Sequence, residues 1–195
     1  MLNQNVSRLE KFKSITTEVF ALTLGLGAFS LAIVPKTSIM EVAQAVGVFA
    51  IAFFYIVAIW IINSRFFENY RLYDNTFIAL NFLILFLVAI SPFLMQAFSM
   101  SSDFADPMSI LYSLDMMGIF VILGVLHQRY IWQNRDHLKT EETRDVKMDR
   151  NMQFIISAWF LTSTVIPVPY RFFFWMLLAP IPPIYRHRIG PLHVN

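Results

Sequence analysis

Residues 42–62 have the sequence VAQAVGVFAIAFFYIVAIWII, an apolar stretch without one charged side chain. An α-helix rises about 1.5 Å per residue, so about 20 such residues cross the roughly 30 Å hydrocarbon core of a bilayer. Three more windows are about as long and mainly apolar, at residues 15–34, 76–95 and 108–127. The chain of 195 residues is 57% hydrophobic and 14% charged, which is more apolar than a soluble domain can hide. The sequence therefore predicts an all-α integral membrane protein.

Two shorter apolar windows follow, at residues 152–168 and 172–185. Prolines in the stretch PVPY at 167–170 predict a helical hairpin between them, because proline ends or kinks a helix. The result is a single domain over residues 1–195 with six transmembrane helices. Residues 128–151 are predicted to be a charged cytoplasmic linker, and the alternative is that their charges pair along a helical face.

The distribution of positive charge predicts the topology, because Lys and Arg accumulate on the cytoplasmic side of a membrane. With the N-terminus on that side, the six spans place every Lys and Arg there except Lys36 and Arg171. Both termini are then cytoplasmic in a multi-pass protein of the cell (plasma) membrane. A cleaved signal peptide is the alternative for the first window, since GAFSLA at 27–32 resembles a processing site, but the apolar stretch Thr16–Val34 is too long for one.

Several kinds of chemistry are excluded or disfavoured by the residues present. The chain has no Cys, so disulfides and thiolate catalysis are excluded. No nucleophile and base pair, glycine-rich phosphate loop or metal-ligand spacing is visible, and we expect neither an enzyme nor a bound cofactor or metal beyond transient ions. The net charge of +2 is explained by membrane orientation, so we expect no nucleic-acid partner and no small-molecule substrate.

Two carboxylates fall inside predicted spans, where a charge costs about 2.5–3.5 kcal/mol on insertion scales. Glu18 lies about one turn into the first span and Asp115 about two turns into the fourth. Either could belong to an ion or proton path, or could instead reach interfacial water or make an interhelical hydrogen bond. The second interpretation is preferred for Asp115, and both stay open for Glu18.

The first span carries two stripes at helical spacing. Its small residues are Ala21, Gly25, Ala28 and Ala32. Its large apolar residues are Leu22, Leu26, Phe29 and Ile33. Small stripes let helix backbones approach closely, whereas rings of bulky apolar side chains around an axis gate by excluding water. The pattern by itself favours packing.

Two long runs resemble a known family, RLEKFKSITTEVFALTLGL at 8–26 and WIINSRFFENYRLYDNTFIALNFLILFLVAISPF at 60–93. The matching positions, in order, are VFA at 19–21, Trp60, Asn63, Phe66, Tyr73, Asp74, Asn81, Pro92 and Phe93. This order and spacing resemble the transmembrane protein 175 family of potassium channels. The resemblance implies a single six-helix repeat that assembles as a homotetramer in membrane lipid. It also implies that the first helix of each subunit lines the pore, with bulky apolar side chains forming the constriction.

The family motif R-x-x-x-F-S-D is altered here. Arg8 and Phe12 match its first half, but Lys13 and Ser14 stand where S-D belongs. A register without gaps, anchored on VFA, instead aligns four other residues with the motif: Lys11, Ile15, Thr16 and Thr17. The aspartate is missing in both registers, and the polar network that braces the pore helix in the family is either absent or rebuilt. The candidates for a rebuilt network are Lys11, Glu18 and Asn63.

In the register without gaps the first constriction residue is Leu22, followed by Gly25 and Leu26 one turn on and by Phe29. Gly25 stands where the family often has threonine, which implies weaker potassium selectivity, and Thr23 compensates only if the helix is rotated. The resemblance thus implies a homotetrameric potassium-permeable cation channel. The alternative is a non-conducting membrane scaffold or accessory subunit of the same fold, which the altered motif favours. A secondary transporter is disfavoured because no internal repeat is visible.

Overall fold

The protein is helical throughout its described length in a computed structural model that describes residues 2–33, 38–69, 74–100 and 102–178. The helices are α1 (Leu2–Ile33), α2 (Ile39–Asn69), α3 (Asn75–Met100), α4 (Ser102–Gln133), α5 (Thr140–Ser163) and α6 (Val168–Met176). The predicted all-α class is therefore confirmed. Three of these helices are long and apolar enough to cross a membrane by length and composition: Ile39–Phe67, Asn75–Met95 and Ala105–Gln133.

The first four helices begin or end well outside the apolar windows. The largest difference is at α1, which begins at residue 2 instead of 15. An apolar window measures the length that a bilayer can bury, whereas a helix backbone continues for as long as its residues favour it. Residues 8–14 (RLEKFKS) are mostly good helix formers, so α1 extends beyond its apolar part.

Most of the predicted linker at 128–151 is helical. α4 continues to Gln133, a turn covers residues 134–137, and α5 begins at Thr140. The start of α5 is closed by the backbone N–H of Lys139, which donates to the Glu142 carboxylate over 3.3 Å. The irregular connection is therefore confined to residues 134–139. The rest of 128–151 is helical, which agrees with the helix that the alternative interpretation required.

The hairpin between α5 and α6 turns three residues earlier than predicted. The turn lies at 164–167 rather than at 167–170, and α6 begins at Val168 with Pro167 as its N-cap. Proline is well tolerated in a first helical turn because the N–H that it lacks would have no partner there. The prolines of PVPY therefore start α6 instead of forming the turn. The predicted window 172–185 overlaps α6 only up to Met176, and its residues from 179 onward lie outside the described residues.

Arg171 of α6 closes this hairpin from inside the protein, with only 2% of its surface exposed. Its guanidinium donates to the backbone carbonyls of Ser163 (2.9 Å), Thr164 (3.2 Å) and Ile166 (2.7 Å). It also forms an ion pair with the Asp106 carboxylate of α4 at 2.9 Å. The last carbonyls of a helix have no partner within the helix, so Arg171 caps α5 and fastens the hairpin to α4.

The packing centres on α3 and α4. α1 packs against α2 and α3, while α4 packs against α3, α5 and α6. The Asp115 carboxylate of α4 lies 2.6 Å from the Ser91 hydroxyl of α3, and both residues are buried. The interhelical hydrogen bond preferred for Asp115 from the sequence is thus confirmed.

Asp74 joins the start of α3 to the end of α4. Its carboxylate accepts a hydrogen bond from the backbone N–H of Phe77 at 2.8 Å and forms an ion pair with Arg129. Burial alone would raise the pKa of Asp74, but the Phe77 N–H and the hydrogen bond and charge of Arg129 outweigh it. The pKa of this carboxyl therefore lies below its ordinary value, so the folded state favours the charged form.

Replacing Asp74 by alanine removes both the N-cap and the ion pair, and we expect a loss of about 1–2 kcal/mol in the free energy of unfolding. Asp74→Asn keeps a good cap and loses only the charge, so its loss should be smaller. Because the folded pKa is lowered, the contribution of the charge is present above the unfolded pKa and disappears as the pH falls through the folded pKa.

Thermal unfolding in detergent, followed from neutral to acidic pH, checks this expectation. The difference in unfolding midpoint between the wild type and Asp74→Asn should be largest near neutral pH and should disappear at acidic pH. A difference of the same size at every pH would show that the Asp74 charge does not stabilise the fold.

Candidate functional site

One face of α1 is exposed along most of its described length. Leu22, Leu26 and Phe29 are 63%, 55% and 63% exposed. Ile15, Glu18 and Gly25 are exposed on the same side, and these six residues are called the open face of α1. Lipid or another protein chain can cover such a face, so exposure alone does not identify its partner.

A different face of α1 packs against the other helices of the same chain. Thr16, Phe20, Thr23 and Gly27 are buried and recur at spacings of four, three and four residues. A β-carbon placed at Gly27 would lie 3.2 Å from the Phe49 ring of α2. The missing side chain of Gly27 therefore allows α1 and α2 to approach closely.

The small stripe predicted to pack does not do so within the chain. Ala21, Gly25 and Ala28 are exposed, and no described atom lies within 4 Å of a β-carbon placed at Gly25. The surroundings of Ala32 and Ile33 lie outside the described residues. Periodicity reveals the stripes but not which of them meets a neighbour, and here the packed stripe mixes Thr, Phe and Gly.

Aromatic contacts fix the rotation of α1 at its N-terminal half. The Phe12 ring meets Phe67 of α2 and Phe82 of α3 edge to face, with centroids 5.7 Å and 5.2 Å apart. Such pairs contribute about 0.5–1.5 kcal/mol beyond burial. With Phe12 and Phe20 facing inward, Thr23 is buried and cannot compensate for Gly25 on the open face.

Glu18 lies on the open face one turn before Leu22. Its carboxylate accepts a hydrogen bond from the Ser14 hydroxyl of the preceding turn at 2.9 Å, and both side chains are exposed. Lys11 is exposed as well, and Arg8 belongs to α1 but its side chain lies outside the described residues. The Glu18 carboxylate therefore lies at the surface of the chain, where ions can reach it.

Two threonines aligned with the motif are satisfied within α1 itself. The Thr16 hydroxyl donates to the Phe12 carbonyl at 2.9 Å, and the Thr17 hydroxyl donates to the Lys13 carbonyl at 3.1 Å. Such bonds between a hydroxyl and the carbonyl four residues earlier are local. These bonds do not brace α1 against another helix.

The predicted network of Lys11, Glu18 and Asn63 is not brought together among the described contacts. Asn63 is fully buried in α2, and neither its amide nitrogen nor its amide oxygen has a hydrogen-bond partner in the described chain. Asn81 of α3 is also fully buried, and only its nitrogen is bonded, to the Phe77 carbonyl at 3.0 Å. The exposed Lys11 and Glu18 lie on the surface of α1 instead, so burial separates them from Asn63.

The fold and the open face define an α-helical membrane protein of several spans whose first helix presents an apolar face. Residues 8–92 match the sequence model of the family described as endosomal/lysosomal potassium channel TMEM175. This region, which is a little under half of the chain, is thus similar to that family, and the match supports the family recognised from the sequence. It is a family of ion channels and not of enzymes, which agrees with the expectation of a non-enzyme.

Two solved structures share the fold. A lysosomal potassium-selective channel TMEM175 homolog from Chamaesiphon minutus is 18% identical, with a TM-score of 0.63 and coverage of 89% of this chain and 97% of that chain. A variant of the potassium channel MtTMEM175 in complex with a Nanobody-MBP fusion protein is 19% identical, with a TM-score of 0.65 and coverage of 91% and 92%. No curated protein matched the sequence. Over the described residues, no group of three or more His, Asp or Glu side chains could hold a metal ion.

The two glycines of α1 should respond differently to a large side chain. Gly27→Leu forces the Phe49 ring aside, and we expect it to lower the free energy of unfolding by about 1–3 kcal/mol. Gly25→Leu enters open space and should leave stability unchanged or improve it by up to about 1 kcal/mol, since leucine is the better helix former.

Thermal unfolding of both variants, purified in the same detergent, tests the assignment of the two faces. The substitution is chemically identical and the sites are two residues apart, so each variant is the control for the other. Equal destabilisation by Gly25→Leu would place Gly25 in a packed interface instead of on an open face.

Proposed function

We propose that this chain forms a homotetrameric, potassium-permeable cation channel whose pore is lined by α1 of each copy. The observation that supports this most directly is the open face of α1, in which Leu22, Leu26 and Phe29 are exposed while the opposite side holds the helix in place. The two solved structures of the same fold are described as potassium channels, and their likeness to this chain is the second support.

The constriction in this proposal is the ring of Leu22 side chains from four copies around one axis. A symmetric oligomer repeats the same surface, so four open faces enclose an apolar passage. Such a ring sets the barrier by excluding water, and ions cross hydrated or partly dehydrated. Gly25 widens the next level and offers no hydroxyl to replace hydration water, so selectivity for potassium over sodium is moderate.

The topology proposed with it has six transmembrane helices, both termini in the cytoplasm and the chain in the plasma membrane as one domain. The distribution of Lys and Arg supports this orientation. Three of the six proposed membrane crossings are supported by the long apolar helices at 39–67, 75–95 and 105–133. Permeant potassium is the only ion that the channel requires, and the partners are identical copies and membrane lipid.

Leu22→Ala should raise ion flux and reduce the preference for potassium over sodium, because it shortens the side chain at the constriction. Leu161→Ala is the matched control, since Leu161 is a comparably exposed leucine on α5, 52% against 63% for Leu22, and its replacement should leave flux unchanged. The measurement is flux into liposomes that contain only the purified protein, under potassium and then sodium gradients.

Unchanged flux in the Leu22→Ala protein would contradict the constriction. Flux absent from a well-folded wild-type tetramer would contradict conduction itself. That second result would favour the alternative of a non-conducting scaffold or accessory subunit, for which the missing aspartate of the motif is the supporting feature.

Glu18→Gln tests whether the Glu18 carboxylates concentrate cations at the mouth of the pore. At an ionic strength of 0.01 M the screening length is about 30 Å, against about 8 Å at 0.15 M. We therefore expect flux to fall at least about twofold at the lower salt and to approach the wild-type value at the higher salt.

Glu10→Gln removes the same charge from an exposed position of α1 two turns earlier, about 12 Å along the helix. Its effect at low salt should be smaller. Equal effects of Glu10→Gln and Glu18→Gln would mean that the net charge of the protein matters and not the position of Glu18.

A further inference from the structure

A cavity of about 330 Å³ opens where α4 ends and α5 begins. Three of its lining side chains are cationic, Arg135, Lys147 and Arg150, and no lining residue is acidic. We propose that this cavity binds the phosphate of an anionic lipid headgroup. This site goes beyond the proposed pore, because it lies on α4 and α5 and uses no residue of α1.

None of the three cations forms an ion pair within the described chain. No carboxylate of the described chain lies within 4.0 Å of any of them. The Arg150 guanidinium is held instead by two amide oxygens, those of Gln128 and of Asn151, the latter at 2.7 Å. Amide oxygens orient a guanidinium without neutralising it. Because Nε and Nη2 both donate to Asn151 and Nη1 donates to Gln128, the second hydrogens of Nη1 and Nη2 remain for an anion.

Phosphate fits these donors better than a carboxylate does in number and charge. A guanidinium presents a planar set of donors that matches phosphate in a bidentate manner, and an ammonium contributes a point charge with three donors. Two guanidinium groups and one ammonium line the same cavity, whose volume falls within the roughly 300–1,000 Å³ of small-molecule sites. The cavity therefore holds one headgroup.

The position of the cavity favours a lipid over a free anion. The apolar helix 105–133 has 29 residues and is about 43 Å long, against about 30 Å for the hydrocarbon core, so its last turns reach the headgroup layer. Trp132 lines the cavity and is 73% exposed, as is typical of tryptophan at membrane interfaces. Ile131 and Leu138 add apolar wall beside the cations. An amphiphile satisfies both parts of the lining.

The sequence did not reveal this site, because the residues from 128 to 151 contain charges of both signs and fit a solvated linker. In the fold, Arg135 of the turn at 134–137 and Lys147 and Arg150 of α5 line one cavity, while the acidic side chains lie outside its lining. A lipid bound there would contact both helices and tie the start of α5 to the end of α4.

The test compares two double variants of the full-length protein. Arg135→Gln with Lys147→Gln neutralises two lining cations that are both exposed. Lys139→Gln with Arg144→Gln removes the same charge from two exposed positions of the same segment that do not line the cavity. Native mass spectrometry of each protein, titrated with phosphatidylglycerol or with phosphatidylcholine, gives the dissociation constants.

We expect the lining variant to bind phosphatidylglycerol at least about tenfold more weakly than the wild type, since each basic residue near an anionic surface contributes about fivefold. The control variant should stay within about twofold of the wild type, and phosphatidylcholine should bind weakly to all three. Wild-type affinity in the lining variant, or an equal loss in the control, would overturn the proposal. If the lining variant does not fold, Arg135→Gln and Lys147→Gln are measured singly, with about fivefold expected from each.

A competition arm separates the two sources of phosphate. Phosphatidylglycerol that stays bound in millimolar inorganic phosphate supports a lipid ligand. Displacement by inorganic phosphate would overturn the lipid assignment and identify a soluble phosphate as the ligand of the same cations.

Discussion

The packing of α1 against α2 and α3 is the constraint on which the rest of the structure depends. Phe12 lies between two aromatic rings, and Gly27 brings the backbone of α1 close to the Phe49 ring of α2. A helix is stiff, so two such contacts four turns apart fix its rotation along the length between them. Every property of the open face, from the carboxylate of Glu18 to the ring of Phe29, follows from that rotation.

The sequence predicts the helical class, the apolar windows and the family, because each depends on composition or order that folding does not alter. It predicts helix ends poorly. The window at 15–34 missed the polar first half of α1, because hydropathy indicates which residues a bilayer can bury and not where the helix backbone begins. It placed the hairpin at 167–170, three residues late, because proline both ends helices and begins them. The open face was visible as a stripe of large residues. The packed face was not visible in the sequence. Only helical spacing relates Thr16, Thr23 and Gly27, and their residue types do not indicate packing.

Arg171 and Asn63 are buried polar side chains whose surroundings the sequence did not predict. The charge pattern only placed Arg171 on the outer side of the membrane, and the structure shows it buried, donating to the carbonyls at the end of α5. Asn63 has the opposite position, fully buried without a hydrogen-bond partner in the described chain. A sequence contains the donors and the acceptors, but only the packing of helices decides which of them meet.

The closure of the hairpin by Arg171 divides the molecule mechanically. Because Arg171 binds α5 and α4 together, these helices and α6 form one stiff block, while α1 makes its main contacts with α2 and α3. A force applied to the block reaches α1 either through α3, which packs against α4, or through α2, whose Tyr55 hydroxyl donates to the Trp175 carbonyl of α6 at 2.6 Å. Ser91 and Asp115 form a polar contact between α3 and α4, one residue from Pro92, where α3 lacks a backbone hydrogen bond. On the route through α3, this contact with α4 therefore lies beside the position at which a helix bends most easily.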